Sequence, residues 1–357
     1  MSGFLEIDGS ALEGGGQILR NSISFSAILG IPVKVTKIRA GRSKPGLAMQ
    51  HLKGIQLVAQ MCQAQLKGVN LGSTEILFRP GKLMGGNYVA DAVTAGSISL
   101  LLQVALPCAL LANRPVNLEL RGGTNADMAP QIDYMTLIFL QTLKKFGADF
   151  DLIVAKRGFF PKGGGLVRVL VNPVRQFKAV NITERGDITG IEGYSFVAGT
   201  IPLKLAQQTA DCAKHELQAE GPVRIECYKE DKNFAPHNAN CIILKCETSG
   251  GCVMGADGLG RRGAEPAAAG RSAGAALRAD LRSGACLDTH LQDQVILYMA
   301  LAAGHSIVRV GEVTLHTKTA IHVAELVAKT KFEIRQDGGQ NLIECAGLGF
   351  TNEAISI

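Results

Sequence analysis

Apolar and polar residues alternate at 4–8, the pattern of a half-buried strand, and a glycine turn at 13–17 leads into a helix reaching about residue 29. A strand at 33–39, a helix at 50–64, a short strand near 69–71 and a strand at 75–78 follow. The order is β-α-β-α-β-β. It then returns: strand 88–92, an apolar helix at 96–112, strand 116–120, a helix at 130–146 with Pro130 in its first turn, and strands 150–155 and 166–171. Two successive units of about eighty residues with one order of elements make an internal repeat.

A third unit is split. Its first strand falls at 180–183, and its other members come much later: helix 287–303, strand 306–310, helix 317–328 and strands 332–335 and 342–345. Between them lies a segment with its own pattern. It has strands at 193–198, 223–228, 241–247 and 252–255, with helices at 203–219 and 267–281. The expected fold class is therefore α/β (α+β). A core of three βαβαββ units (1–184 plus 284–357) carries a small α/β insert over 185–283, entered and left through glycine-bearing loops.

Charge sharpens this picture. Between Glu13 and Glu75 there is no carboxylate, yet there are eight basic residues: Arg20, Lys34, Lys37, Arg39, Arg42, Lys44, Lys53 and Lys67. The chain carries +6 overall, so the rest of it is slightly acidic and the positive character is local. Such a stretch suits a phosphorylated ligand. Aromatics are only 5% and Trp is absent, which argues against gripping a long single strand by base stacking. If the ligand is a nucleic acid, its end is what is recognised. The nine cysteines are odd in number and contain no Cys-x-x-Cys pair, so reduced thiols in a cytosolic or nuclear compartment are expected. No apolar run has the length of a membrane span.

Several constellations could carry chemistry. Glu13-Gly-Gly-Gly-Gln17 precedes a helix and lets backbone N–H groups approach an anion. Glu13 beside such a site is either a ligand for a divalent cation or a cap on the helix. Arg121-Gly-Gly-Thr-Asn125 follows a strand as Arg39–Arg42 does; it either shares that pocket or is a plain turn. The glycine turn 161–165, with Lys162, reads as a hairpin. Asp293 is a helix-dipole partner or a metal and ribose contact. His316 stands at a strand-to-helix junction, where an imidazole is structural or, beside bound phosphates, a nucleophile on phosphorus.

At these residues the chain resembles the RNA 3′-terminal phosphate cyclase family. The matching stretches are Glu13-Gly-Gly-Gly-Gln-Ile-Leu-Arg20, Ile38-Arg-Ala-Gly-Arg-Ser-Lys-Pro-Gly-Leu47, Gln50-His51, Gly122-Gly-Thr-Asn-Ala-Asp-Met-Ala-Pro-Gln131, Leu291-Gln-Asp-Gln294, and His316 with Thr319. The resemblance implies three βαβαββ units with a thioredoxin-like insert. It also implies conversion of an RNA 3′-phosphate to a 2′,3′-cyclic phosphate, using ATP and a divalent cation, Mg or Mn. By position, His316 would be the adenylylated nucleophile and Gln103, Pro130, His290, Asp293 and Gln294 would line the ATP pocket. Arg20, Arg39, Arg42, Gln50 and His51 would hold the phosphates, and Glu13 the metal. Members of the family commonly carry Tyr where this chain has His290, so weaker ATP binding is expected. The implied partners are RNA 3′ ends and ATP, with no membrane and with the oligomeric state open, a homodimer being one option. The expected location is the nucleus, with a cytoplasmic share. A non-catalytic cyclase-like scaffold in ribosome assembly and an enolpyruvyl transferase are the competing readings.

Overall fold

Three four-stranded sheets repeat one design, and this decides where every loop of the site emerges. The computed structural model describes residues 3–265 and 267–355. The first unit comprises β1 (Leu5–Asp8), α1 (Gly16–Leu29), β2 (Val33–Thr36), α2 (Met49–Cys62), β3 (Gln65–Lys67) and β4 (Ile76–Arg79). The second comprises β5 (Gly86–Asp91), α3 (Ile98–Leu110), β6 (Val116–Gly122), a broken helix, β7 (Asp151–Lys156) and β8 (Gly165–Val171). That helix runs as α4 (Ile132–Tyr134), a π-helical stretch Met135–Phe139, and α5 (Leu140–Lys145).

The third unit begins with β9 (Asn181–Ile182) and is interrupted by β10 (Ile188–Ala198), α6 (Leu203–Leu217), β11 (Val223–Lys229), β12 (Ala239–Thr248), β13 (Val253–Leu259) and α7 (Ala268–Arg282). It resumes with α8 (Leu291–Gln294), α9 (Ile296–Leu301), β14 (His305–Val310), α10 (Leu315–Ala328), β15 (Phe332–Asp337) and β16 (Gln340–Ala346). The sheet orders are β1-β2-β4-β3, β5-β6-β8-β7 and β9-β14-β16-β15, the same permutation each time. In each, the first two strands are parallel and the last two run antiparallel to their neighbours. The fourth sheet, β11-β10-β12-β13, joins a parallel β-α-β unit to an antiparallel pair, the order of a thioredoxin-like sheet.

One apolar core joins the three units, with Ile18 of α1, Leu102 of α3, Met299 of α9 and Ala324 of α10 all inaccessible to solvent. A separate core packs α6 and α7 on the fourth sheet through Ala210, Ala213, Leu244, Ala273 and Leu277. Where these regions meet, Arg157 is buried. Its Nη1 and Nη2 donate to Asp133 at 2.8 and 3.0 Å and its Nε to Glu230 at 2.7 Å. Its guanidinium also lies over the Phe196 ring, 4.3 Å from the centroid.

Beyond the broken second helix of the second unit and longer strands β10 and β13, four departures have a local reason. The strand near 69–71 is instead β3 at Gln65–Lys67, because Gly68 and Gly72 take positive φ and turn the chain between them. β2 stops at Thr36, since Lys37 and Arg39 adopt left-handed backbone. The helix expected over 287–303 starts only at Leu291. The Asp288 carboxylate takes the N–H groups of His290 and Leu291, both at 2.9 Å, and holds the preceding turn open. Pro130 stands before the helix it was expected to open, whose N-cap is Gln131.

Arg157→Ala would leave the Asp133 and Glu230 carboxylates buried without their cation. The expected loss is about 3–5 kcal/mol of unfolding free energy, read from the urea midpoint. A loss under about 1 kcal/mol would show that water replaces the guanidinium freely.

Candidate active site

The first turn of α1 is open towards the basic stretch. Its N-cap is Gly15, with no side chain capping the helix, and no acidic residue lies in its first turn. The backbone N–H groups and helix dipole there favour an anion. A Cβ at position 16 would lie 2.5 Å from His51 Nε2 and 2.9 Å from Arg20 Nη1, so any side chain there would displace these groups. Glu13 does not cap the helix; its Oε1 accepts from Arg42 Nη2, and its backbone N–H donates to Thr319 Oγ1 at 3.3 Å.

Around this turn stand the five residues expected to hold phosphate. Arg39, in left-handed backbone, donates from Nη1 to Gly46 O at 2.8 Å. Gln50 Oε1 accepts from Ser97 N at 3.2 Å, tying the site to the second unit. Arg20, Gln50 and His51 line one cleft between α1, α2 and α3. Burial, reinforced by the charges of Arg20, Arg39 and Arg42, pushes the His51 imidazole down to about 3. The ring is therefore neutral. Its Nδ1 accepts from Ala48 N at 3.3 Å, which leaves the proton on Nε2, the nitrogen directed at Gly16.

The third unit supplies the opposite wall. Asp293 Oδ2 accepts from Gln17 Nε2 at 2.8 Å, and Gln17 Oε1 accepts from Arg20 Nη2. Burial raises the Asp293 carboxyl, while the nearby charges of Arg20, His316 and His290 draw it back. His316 is exposed in the first turn of α10, whose N-cap is Thr314; its Oγ1 accepts from Thr317 N at 3.1 Å. The buried Gln292 fastens this turn, accepting from Thr317 Oγ1 at 2.9 Å.

Gln103 and Gln294 line a second cleft, with Gln17, Arg20, Met135 and Phe139. Arg20 thus borders both clefts. The Gln294 Oε1 is buried with no partner, while its Nε2 donates to His290 O at 2.7 Å. His290 is exposed, edge-on to the Tyr134 ring at 6.1 Å. Pro130 is buried one residue before Gln131, whose N–H donates to Asp257 Oδ2 at 2.8 Å, and does not line this cleft. Arg121 lies within β6, exposed and paired with Glu119 Oε1.

Three contributors escaped the sequence reading as individual residues. Gln17 relays between Arg20 and Asp293; its signal was a glutamine three residues before an arginine on a helix face. Gln292 and the π-helical stretch carried no usable signal, although π turns recur at functional sites. Among the described residues no group of three or more His, Cys, Asp or Glu could hold a metal. Glu13 Oε2 is buried with no partner, which suits a single protein ligand to a cation held otherwise by phosphate oxygens. All nine cysteines are free, and among the described residues no helix is long and apolar enough to cross a membrane.

Because the His51 pKa is depressed from 6.5 in the folded state, the unfolded chain binds the extra proton between those values. Its contribution to stability is complete above pH 6.5 and falls as pH drops towards about 3. His51→Gln should flatten that part of the stability profile, measured by denaturant midpoints at pH 7 and 5. An unchanged slope would contradict the arginine-enclosed setting of the ring.

Comparison with known proteins gives a consistent result. The family model described as "RTC: RNA 3′-terminal phosphate cyclase" matches residues 11–334. A protein of Drosophila melanogaster named RNA 3′-terminal phosphate cyclase is 42% identical, covering 98% of each chain. Proteins of that name from Pyrobaculum aerophilum and Methanopyrus kandleri are 39% and 38% identical, covering 97% and 94% of this chain and 99% and 96% of their own. The chain belongs to the RNA 3′-terminal phosphate cyclase family.

Proposed function

We propose that this chain uses ATP to convert the 3′-terminal phosphate of RNA into a 2′,3′-cyclic phosphate, through AMP carried on His316. The carrying observation is the setting of Asp293. Arg20 from the phosphate wall and His316 and His290 from the nucleotide wall all act on it, so both sets of groups converge on one carboxylate. Family membership supports the reaction class.

A phosphate monoester offers the neighbouring 2′-OH no good leaving group, and adenylylation supplies one. A ring nitrogen of His316 attacks the α-phosphorus of ATP, and pyrophosphate leaves. An oxygen of the RNA 3′-phosphate then attacks the same phosphorus and frees the imidazole. Finally the 2′-OH attacks the 3′-phosphorus, losing its proton as AMP departs. Arg20, Arg39 and Arg42 oppose the charge on the equatorial oxygens, neutral His51 donates from Nε2, and the first-turn N–H groups of α1 add to that field.

Glu13 would hold the divalent cation, Mg or Mn, through its unpaired Oε2. A bound cation neutralises phosphate charge in such a transfer. Gln103, His290 and Gln294 would surround the nucleotide, with the His290 ring stacking less well than a larger aromatic; the buried Pro130 would act only from behind the cleft. In this reading the core of 1–184 plus 284–357 performs the chemistry and 185–283 is an appended domain. Free thiols support a reducing location, which we assign to the nucleus with a cytoplasmic share; imaging of the tagged chain in a nucleated cell tests it, and exclusion from the nucleus would contradict it.

With an RNA 3′-phosphate and ATP, His316→Ala should yield no cyclic ends. Arg42→Ala should keep the native melting profile and lower kcat/KM by roughly 10²–10³. Cyclisation retained by His316→Ala would overturn the mechanism and favour a non-catalytic scaffold.

A further inference from the structure

Nearly every aromatic side chain in this protein is covered. Among the described residues Phe160 is the one phenylalanine or tyrosine left exposed, at 77%. Its neighbour Phe159 is 2% exposed and packs with Phe196, Ala235 and Cys241. The hairpin between β7 and β8 thus anchors one ring and presents the next.

That hairpin is held rigidly. Thr124 N donates to Gly158 O at 2.9 Å, Gly158 N donates to Thr124 Oγ1 at 3.1 Å, and Gly163 N donates to Phe159 O at 2.8 Å. It is also close to the phosphate wall. The Thr94 carbonyl lies against Gly163 so tightly that no Cβ would fit there. Three residues further on, Ser97 N donates to Gln50 Oε1 at 3.2 Å, and a Cβ at Gly96 would lie 3.2 Å from the Gln50 Cβ. Three residues span at most about 10 Å, so the hairpin stands a nucleotide or two from Gln50. Neither the hairpin residues 157–165 nor the strip 92–97 contains a carboxylate, and Lys162, two residues after Phe160, is exposed too. Val93, 64% exposed, extends the apolar surface of the same rim.

An exposed ring on a rigid support, next to a cation and close to the phosphate wall, matches one chemistry: a nucleobase stacked on its face with its backbone phosphate beside the lysine. We propose that Phe160 is a stacking platform for a base just upstream of the phosphorylated RNA 3′ end, with Lys162 opposing the adjoining phosphate. This rests on the function proposed above. It extends recognition beyond the terminal phosphate alone, and it revises the reading of residues 161–165 as a plain hairpin.

The test compares wild type, Phe160→Ala and Phe160→Tyr on a short RNA 3′-phosphate and on the same strand lacking its penultimate base. Phe160→Ala should raise KM for the intact RNA roughly ten-fold or more, with Phe160→Tyr close to wild type. Removing the base should penalise wild type by a similar factor and add little to Phe160→Ala. Adenylylation by ATP without RNA should be equal in all three. An unchanged KM in Phe160→Ala, or equal penalties for base removal in wild type and Phe160→Ala, would overturn the platform. So would a changed oligomeric state in light scattering with RNA affinity unaltered, which would assign the ring to a contact between copies. If wild type neither adenylylates nor cyclises, the enzymatic reading fails. Fluorescence anisotropy of the same RNAs would then still decide the platform by the same comparison.

Discussion

A guanidinium held half-buried between two clefts must be met by partners, and at this site that requirement falls on Arg20. Burial works against its charge, while Asp293 and Glu13 work for it. Asp293 belongs to α8 of the third unit and Arg20 to α1 of the first, with Gln17 bridging them. The pair therefore holds two distant parts of the chain in register. Gly16 suits the same arrangement, because a side chain there would push Arg20 and His51 aside. The Glu13 loop is fastened in turn by Thr319 of α10.

The repeat explains why these residues come from all over the chain. Each unit pairs its first two strands in parallel, so a helix connects them and a loop leaves the same end of each sheet. The Glu13–Gly15 loop precedes α1 in the first unit, and the 92–97 strip with Gln50's partner Ser97 precedes α3 in the second. In the third, the fourth sheet and α7 fill the interval between β9 and α8, yet β14 still pairs with β9 beside it. An insertion at that point leaves the sheet intact. It adds a buried junction of its own, where Arg157 bridges Asp133 and Glu230.

Much of this was legible from residue order alone. Alternating strands at 116–120 and 166–171 and the apolar helix over 96–112 lie close to β6, β8 and α3, because burial on one face leaves a strong periodic trace. The run without carboxylates marked the basic wall, since a phosphate site excludes like charge. What stayed hidden depends on side chains meeting across the chain. Asp288 shortens a helix by capturing local N–H groups, and its other partners, Tyr134 and Gly255, lie far away in sequence. The π turn at Met135–Phe139 has no periodic signature, and Gln17 looked like any polar residue at a helix start until Asp293 came beside it. For the loop at Arg121–Asn125 two readings stayed open, and the arginine side chain turns to Glu119 on its own strand.

The central claim is that one exposed imidazole, in the first turn of α10, carries the nucleotide. Intact-mass and peptide mass spectrometry of the wild-type protein after incubation with ATP tests this most directly. The account predicts one AMP per chain, labile in acid and mapped to His316. An adenylate on a lysine, or an unmodified protein under conditions where ATP is bound, would contradict it.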